Sequence, residues 1–429
     1  MQGRNCQGER PADAPVAQFG VGSNALRLIC SFPNEAGRKS PMDLITTTGD
    51  LAAFCARAAR YDFITVDTEF LRETTYWPKL CLLQAATVDE AVLIDPLTPG
   101  IDMSSFLALL DNADVRKVFH AARQDIEIFV KMSGKVPQNI FDTQVAASVC
   151  GFGDSVSYDN LVRSITGVEL DKSSRFTDWA ARPLSEKQKT YALADVTHLR
   201  DVYTALVARV EESGRWDWVE DEMGVLSSIR TYVVEPENAW ERLKSRLHKP
   251  RDVAALREIA AWREKRAQDT DQPRSRVLKD DALVELATQR PQTPEAFEKL
   301  RAVQRGFGRS SAASEIIAVI KRVEELSKND LPKSSDRYRG PSPKGATGDL
   351  LRVLLKSVAE QNGVAPRIIA TSDDIDSIVL DDAADVPALK GWRRKLFGEK
   401  ALALKSGKLG LAASKKGVIE IEVLDDDED

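Results

Sequence analysis

Residues 61–70 read YDFITVDTEF, an apolar run that ends on two acids, Asp67 and Glu69. The Phe, Ile and Val side chains of this run favour a buried β-strand. Because alternate residues of a strand lie on the same face, the two carboxylates project together and Thr68 turns to the other side. Two oxygen ligands on one rigid face suit a hard cation such as Mg²⁺ or Mn²⁺. A strand end that reaches solvent has the same pattern.

Two further acidic positions favour the metal-site interpretation. Asp125 lies in the first turn of a helix that follows the strand-like segment KVFH, and Asp195 lies one helical turn after Tyr191 in YALADVTHL. Carboxylates from a strand, a helix start and a helix middle can hold two cations about 3.5–4 Å apart around a scissile phosphate. The Tyr191 hydroxyl would then orient the attacking water. An amphipathic helix with one polar edge remains the alternative for Asp195.

The ordered set of Asp67 with Glu69, Asp125, and Tyr191 with Asp195 resembles the three motifs of the DEDD superfamily of 3′→5′ exonucleases, in its tyrosine subclass. The surrounding segments LCLLQAA, VFHAARQDIEI and FDTQVAA resemble the ribonuclease D family. The resemblance implies an α/β RNase H-like exonuclease domain with a mixed sheet and helices. It also implies that these five residues are catalytic, that the carboxylates bind two divalent metal ions (Mg²⁺ or Mn²⁺), and that RNA is hydrolysed to nucleoside 5′-monophosphates.

The same resemblance implies the partner, which is RNA, and in particular tRNA precursors with single-stranded 3′ ends. A DNA-directed 3′→5′ exonuclease would need the same residues, and a catalytically inert RNA-binding protein that kept the fold is a further alternative. The lack of a polymerase region argues against the first, and the intact carboxylates and tyrosine argue against the second. No G-x-x-x-x-G-K-[ST] motif occurs, so we expect no nucleotide cofactor, and we expect a monomer.

The composition is that of a soluble protein with two or three domains: 429 residues, 43% hydrophobic and 29% charged, with a net charge of −6. No apolar run approaches the roughly 18 residues needed to cross a bilayer, so no membrane partner is expected. The five cysteines are odd in number, scattered and without a C-x-x-C pair, which predicts a reducing cytoplasm and no zinc site.

A change in patterning divides the chain. Strand-like and helix-like segments alternate over an acidic stretch up to residue 212, whereas the strand signal disappears and the charge balance becomes basic after residue 236. The segment LREIAAWREKRAQDTDQPRSRVLKDDALVELATQRPQT resembles the helical HRDC module, and ALKGWRRKLFGEKALALKSGKLGL resembles a more divergent copy, so we predict two all-α HRDC-like domains. The predicted divisions are a disordered extension (1–41), the exonuclease domain (42–212), an HRDC domain (237–323), a linker (324–348), a second HRDC-like domain (349–411) and an acidic tail (412–429).

The segment KSSRFTDWAARPL, residues 172–184, combines cations with an aromatic side chain just before the Tyr191 helix. Lys172, Arg175 and Arg182 could hold the phosphates of a single-stranded 3′ end while Trp179 stacks on a base. A surface loop with a packed tryptophan is an equally good interpretation.

A basic cluster surrounds the predicted turn at Pro273 in the HRDC segment. Lys265, Arg266, Arg274 and Arg276 could bind RNA phosphates without reading the base sequence. The alternative is a solvated bundle face that packs on the catalytic domain.

Four polar residues near the motifs have weaker signals. Gln84 follows an apolar strand and could meet a terminal nucleotide, although polarity at a sheet edge explains it equally well. His120 could touch a substrate phosphate, but a hydrogen-bonded structural histidine is favoured. Asp142 in IFDTQVA is interpreted as a helix N-cap rather than a fifth ligand, and His198 as structural.

Overall fold

A computed structural model describes residues 44–243, 245, 247–332, 345–415 and 417–423. The expectation of disorder for residues 1–41 lies outside these described residues. Six strands form the first sheet: β1 (Leu44–Ile45), β2 (Phe63–Leu71), β3 (Lys79–Ala86), β4 (Ala91–Ile94), β5 (Arg116–Phe119) and β6 (Ile140–Asp142). The helices around it are α1 (Thr48–Ala58), α2 (Ser104–Asp111), α3 (Arg123–Ser133), α4 (Thr143–Val149), α5 (Tyr158–Thr166), α6 (Glu186–Ser213) and α7 (Trp216–Leu226).

The sheet has the strand order β1-β4-β3-β2-β5-β6. The pairs β2–β3 and β3–β4 are antiparallel, and the pairs β1–β4, β2–β5 and β5–β6 are parallel. Antiparallel neighbours follow from the short connections after β2 and β3, whereas β5 and β6 reach parallel positions through helices. This arrangement confirms the predicted α/β domain with a mixed sheet and helices.

The long helix α6 fixes strand β2 in place. It begins at a capping box, in which the Ser185 side chain and the Gln188 side chain each bond the other's backbone N–H, and it ends at the left-handed Gly214. The Thr65 hydroxyl of β2 donates to the Val196 carbonyl at 2.8 Å, and both groups are buried. The strand and the helix therefore meet next to the motif carboxylates, since Val196 directly follows Asp195 and Thr65 lies two residues before Asp67.

Two helical groups follow the exonuclease domain. The first contains α8 (Pro250–Asp269), α9 (Arg274–Val277), α10 (Asp280–Gln289), α11 (Pro294–Phe297) and α12 (Ser311–Glu325). The second contains α13 (Ala346–Asn362), α14 (Pro366–Ile369), α15 (Ser372–Leu380), α16 (Gly391–Arg393) and α17 (Glu399–Lys405), with a π-helical turn at Arg394–Gly398. Each group buries its own apolar core, and Phe397 lies at the centre of the second. No helix among the described residues has the length and apolar character that a bilayer span requires.

The C-terminal end contains a hairpin that the sequence analysis did not predict. The sequence analysis assigns residues 412–429 to an acidic tail; β7 (Leu409–Ser414) and β8 (Gly417–Glu422) pair as an antiparallel hairpin, and residues 424–429 lie outside the described residues. The physical reason is visible in GVIEIEV, residues 417–423, where apolar and acidic side chains alternate with the period of a strand. The second helical group is therefore not purely helical.

The first helical group docks on the exonuclease domain through Tyr76, which lies between β2 and β3. The Tyr76 hydroxyl donates to the buried Glu264 carboxylate, and Arg274 donates to both the Tyr76 oxygen (2.8 Å) and Glu264 (2.6 Å). Asp271 accepts from the backbone N–H groups of Tyr76 and Trp77 at 3.1 and 3.0 Å.

The second helical group docks through α7. Trp218 and Trp392 stack with ring centroids 4.1 Å apart and an interplanar angle of 9°. Arg393 forms ion pairs with Asp221 and Glu222 in the same helix. Each helical group thus has its own contacts on the exonuclease domain.

Candidate active site

Three of the four motif carboxylates converge at the C-terminal half of β2. Asp67 and Glu69 project from this strand, and Asp195 projects from the middle of α6. One carboxylate oxygen of each lies within 4.8 Å of those of the others, a spacing that a single cation can bridge. The i, i+2 spacing on the strand and the helix that crosses it therefore produce one side of a metal site.

The fourth carboxylate, Asp125, is held by Thr68, a residue that the sequence analysis placed on the opposite face of the strand from Asp67 and Glu69. Asp125 lies in the first turn of α3 and is buried, and the Thr68 hydroxyl donates to its Oδ1. Thr68 does face away from Asp67 and Glu69, yet α3 brings Asp125 to it. This neighbour comes from tertiary packing, so no local pattern could have revealed it. Asp125 stands beside the three-carboxylate group and remains close enough for Asp67 to act on its charge.

Burial and mutual repulsion raise the pKa values of these acids. Burial raises the pKa of Asp67 to about 6. Burial, followed by the charges of the other three acids, raises the pKa of Glu69 to about 10. Burial and the Asp67 charge raise the pKa values of Asp125 and Asp195 well above their ordinary range. Acids crowded in this way are stabilised as carboxylates by a divalent cation, so the donor set fits Mg²⁺ or Mn²⁺.

Asp142 holds the turn that starts α3. It caps α4 by accepting from the Gln144 backbone N–H at 2.8 Å, as expected. It also accepts from the backbone N–H groups of Ala121 (2.9 Å) and Ala122 (2.8 Å). Ala121 has a left-handed backbone (φ 59°), which a residue with a Cβ adopts at a cost. The position of Asp125 thus depends on a strained turn that a neighbouring carboxylate secures.

Tyr191 lies on α6, next to the carboxylate group. Its hydroxyl lies close enough to Asp195 to lower the pKa of that acid, and its ring lies against Trp179 with centroids 6.0 Å apart. Burial and the nearby acids raise the pKa of Tyr191 above its ordinary value, so the hydroxyl remains protonated at neutral pH. A protonated phenol next to the carboxylates can donate to, or accept from, a water or a phosphate oxygen.

A cavity of about 350 Å³ opens in front of these groups. Its lining residues are Asp67, His120, Ala121, Gln144, Ser155, Ser157, Tyr158, Asp159, Leu170, Lys172, Arg175, Tyr191, Asp195 and Leu199. Tyr158 was missed by the sequence analysis, because its neighbourhood lacks any motif. It is half-buried, and its hydroxyl donates to the Ala194 carbonyl of α6 at 3.1 Å.

The segment KSSRFTDWAARPL divides into cavity residues and structural residues. Lys172 and Arg175 both line the cavity, and Lys172 forms an ion pair with Asp159 at 2.5 Å. Trp179 is 3% exposed and packs in the core, so its faces are not open to a base. Arg182 donates to both oxygens of Asp95 at 2.7 Å and to the Cys81 carbonyl at 2.6 Å. These contacts are against the stacking and phosphate roles expected for Trp179 and Arg182, and the packed-tryptophan interpretation describes this loop.

Gln84 and the two histidines occupy different positions relative to the cavity. Gln84 pairs with Asp67 across the β2–β3 ladder and is completely buried, with no hydrogen-bond partner for its amide among the described residues. His120 lines the cavity, and its ring nitrogens bond the Thr143 hydroxyl (3.0 Å) and the Val156 carbonyl (3.1 Å), as a structural histidine would. His198 is half-buried on α6 and lies outside the cavity lining.

The basic cluster of the first helical group is largely engaged with acids. Arg274 belongs to the Tyr76 contact described above, Arg266 pairs with Glu315 at 2.9 Å, and Lys265 pairs with Asp269 at 3.1 Å. Arg276 is exposed and forms no ion pair within the part of the chain that the structure describes. Arg274 therefore joins the two domains instead of presenting a free charge, because its partner Glu264 is buried and needs a counter-ion.

Comparisons with known proteins agree with this geometry. Residues 42–211 match the model of a 3′-5′ exonuclease family, and residues 252–320 match that of the HRDC domain. The chain is 54% identical over 381 residues to ribonuclease D of Nitrobacter hamburgensis, and this match covers 89% of this chain and all of the relative. It is 48% identical to ribonuclease D of Gluconacetobacter diazotrophicus, and that match covers 88% of this chain and 95% of the relative. The crystal structure of Escherichia coli RNase D, an exoribonuclease involved in structured RNA processing, matches with a TM-score of 0.74 and 29% identity over 85% of this chain and 98% of that one.

Proposed function

The chain belongs to the ribonuclease D family of 3′→5′ exoribonucleases, and from that premise we propose that it removes nucleotides from RNA 3′ ends with two divalent cations. The observation that carries the proposal is the convergence of Asp67, Glu69 and Asp195, with Asp125 beside them. Asp67, Glu69 and Asp195 would hold one cation, and Asp67 with Asp125 would hold the other. When bound, such cations activate a water and stabilise the leaving oxygen of a phosphodiester.

The protein's own residues position the reactants. The Tyr191 hydroxyl, kept protonated by its surroundings, orients the attacking water next to Asp195. Arg175 and Lys172 face the same cavity and bind phosphate oxygens of the terminal nucleotides. Thr68 holds the Asp125 side chain in one orientation through its hydrogen bond, as outer partners of metal ligands do.

The proposed RNA is a tRNA precursor with a single-stranded 3′ end, on which the protein acts as a monomer in the cytoplasm. The structured-RNA processing stated for the E. coli relative supports this class of substrate. The free thiols of Cys55, Cys81 and Cys150 are compatible with a reducing compartment. Incubation with matched RNA and DNA oligomers separates the proposal from a DNA-directed exonuclease, since only RNA should be shortened efficiently.

Replacement of Asp67 tests the two-cation mechanism. The variant Asp67→Asn should lose nucleotide release with Mg²⁺ or Mn²⁺, because Asp67 is shared by both proposed cations, while RNA binding is retained. Asp114→Asn, at an exposed carboxylate before β5, is the matched control and should leave activity unchanged. Nucleotide release would be followed by chromatography of nucleoside 5′-monophosphates. Near-normal turnover by Asp67→Asn would rule the mechanism out.

A further inference from the structure

One aromatic side chain next to the cavity has no role in the fold. Phe176 is 91% exposed, whereas no other exposed large apolar side chain of the described residues exceeds 62%. Burying a phenylalanine side chain normally stabilises a fold, and Phe176 gains almost none of this stabilisation. Its ring contact is with the preceding residue, Arg175, whose guanidinium carbon lies 5.3 Å from the ring centroid.

The exposure of Phe176 is imposed by a fixed loop. Ser174 and Trp179, on either side of it, are buried. The Thr177 hydroxyl donates to the Ser174 carbonyl at 2.8 Å and accepts from the Gln188 amide at 3.2 Å, so the base of α6 holds the loop. The backbone is anchored on both sides of Phe176, and the ring projects outward from a defined position.

That position is the rim of the catalytic cavity. Arg175 lines the cavity together with Asp195 and Tyr191, and its positive charge acts on Glu69 as well. Phe176 follows Arg175 directly but is not part of the lining, so it stands outside the space that the terminal nucleotide would fill. A chain whose last phosphodiester lies at the carboxylates and whose 5′ side leaves the cavity over Arg175 passes this rim.

We propose that Phe176 is a stacking site for a base of single-stranded RNA on the 5′ side of the scissile phosphate, with Arg175 contacting a neighbouring phosphate. This inference rests on the proposed function. Stacking on an aromatic ring is worth about 1–3 kcal/mol per base and tolerates every base, because each base has a π-face. An enzyme that must advance through any sequence needs this kind of contact, since hydrogen bonds to base edges would stall it at unfavourable nucleotides.

The first test compares variants at this position in RNA binding and turnover. Phe176→Ala should weaken the Kd for a single-stranded RNA oligomer, measured with EDTA so that no hydrolysis occurs, by about 5- to 150-fold, the equivalent of 1–3 kcal/mol. In kinetics with metal, KM should rise while kcat stays within about twofold, because the contact is made equally before and during the reaction. Phe176→Tyr should behave like the parent, whereas Phe176→Leu, apolar but without a π-face, should lose affinity.

The control is Val88→Ala, at the turn between β3 and β4. Val88 is also exposed and apolar but lies at the opposite end of β2 from Glu69. This variant should bind RNA as the parent does.

The second test identifies the base. Oligomers that lack a base at the second, third or fourth nucleotide from the 3′ end should reveal one position at which the parent and Phe176→Ala bind equally well. The proposal would be overturned if Phe176→Ala and the parent bound intact RNA with equal affinity. It would also be overturned if Phe176→Ala bound every abasic oligomer more weakly than the parent by the same factor. A protein-docking role for the ring would give the first of these results. If the parent itself releases no nucleotide from RNA, the proposed function fails, whereas an active parent with an unaffected Phe176→Ala variant removes only the stacking site.

Discussion

Cation binding to the three-carboxylate group of Asp67, Glu69 and Asp195 should release a proton near neutral pH, because Glu69 holds one in the metal-free protein. The pKa of Glu69 is raised to about 10, so this carboxyl is protonated between pH 7 and 8. The pKa of Asp67 is raised to about 6, so it is already ionised in this window and adds a proton only near or below pH 6. The pKa of Asp195 is also raised, by burial and by the Asp67 charge.

The sign and size of the pH dependence of cation affinity follow from competition between the cation and the proton. A cation binds the carboxylate form, so affinity increases with pH, and each displaced proton contributes a factor of ten per pH unit, or about 1.4 kcal/mol. Displacement of the Glu69 proton therefore increases the cation affinity about tenfold between pH 7 and 8. Neighbouring groups do not add to it, because burial lowers the pKa of His120 and raises that of Tyr191, and both stay uncharged in this window.

The assay is a calorimetric titration of the metal-free protein with Mn²⁺ in two buffers of different ionisation enthalpy, which counts the released protons. Glu69→Gln keeps the shape of the side chain without a titrating proton and should release about one proton fewer. Asp114→Asn, an exposed acid, should leave the count unchanged. An affinity that is independent of pH between 7 and 8, with no buffer-dependent heat, would refute the reasoning, since the carboxyls would then be ionised before the cation arrives.

Three further variants test individual contacts. Thr68→Val removes the hydroxyl that holds Asp125 and should lower turnover by about 10- to 100-fold in metal-activation curves, while Thr68→Ser retains it. Arg274→Ala leaves the buried Glu264 carboxylate without its counter-ion and should lower the free energy of unfolding in urea by about 3 kcal/mol. Adding Glu264→Gln to this variant should recover part of the lost stability. Full stability of Arg274→Ala would contradict the anchoring role. Ala121→Gly relieves the strain of the left-handed backbone and should increase the free energy of unfolding by up to about 1 kcal/mol, once the larger entropy of the unfolded glycine chain is subtracted. The gain is measured as a higher Tm with activity retained. A lower Tm would show that the turn is not strained.

Local periodicity was enough to predict the parts of the site that lie on one element. The i, i+2 spacing of Asp67 and Glu69 and the i, i+4 spacing of Tyr191 and Asp195 translate directly into shared faces. The contact between Thr68 and Asp125 could not be predicted in this way, because the packing of α3 against β2 creates it.

The choice between two aromatic residues in one loop was equally beyond local patterns. Trp179 and Phe176 are three residues apart, and the tryptophan is buried because Leu82 and Ala192 offer it a core, whereas the phenylalanine has none. The same holds for Arg274, whose charge is evident in the sequence but whose partners Glu264 and Tyr76 are brought together by docking. Charge and aromaticity can be read from a sequence, but the groups that neutralise or cover them cannot.

The separate contacts of the two helical groups have a consequence for how this architecture can vary. One group is attached through Tyr76 and the other through the stacked rings of Trp218 and Trp392, so the catalytic domain sets the placement of both. The connection between Glu325 and Ala346 therefore needs no fixed length to place the two groups. Insertions and deletions in this connection should leave both attachments unchanged, so related proteins can differ here in length and sequence.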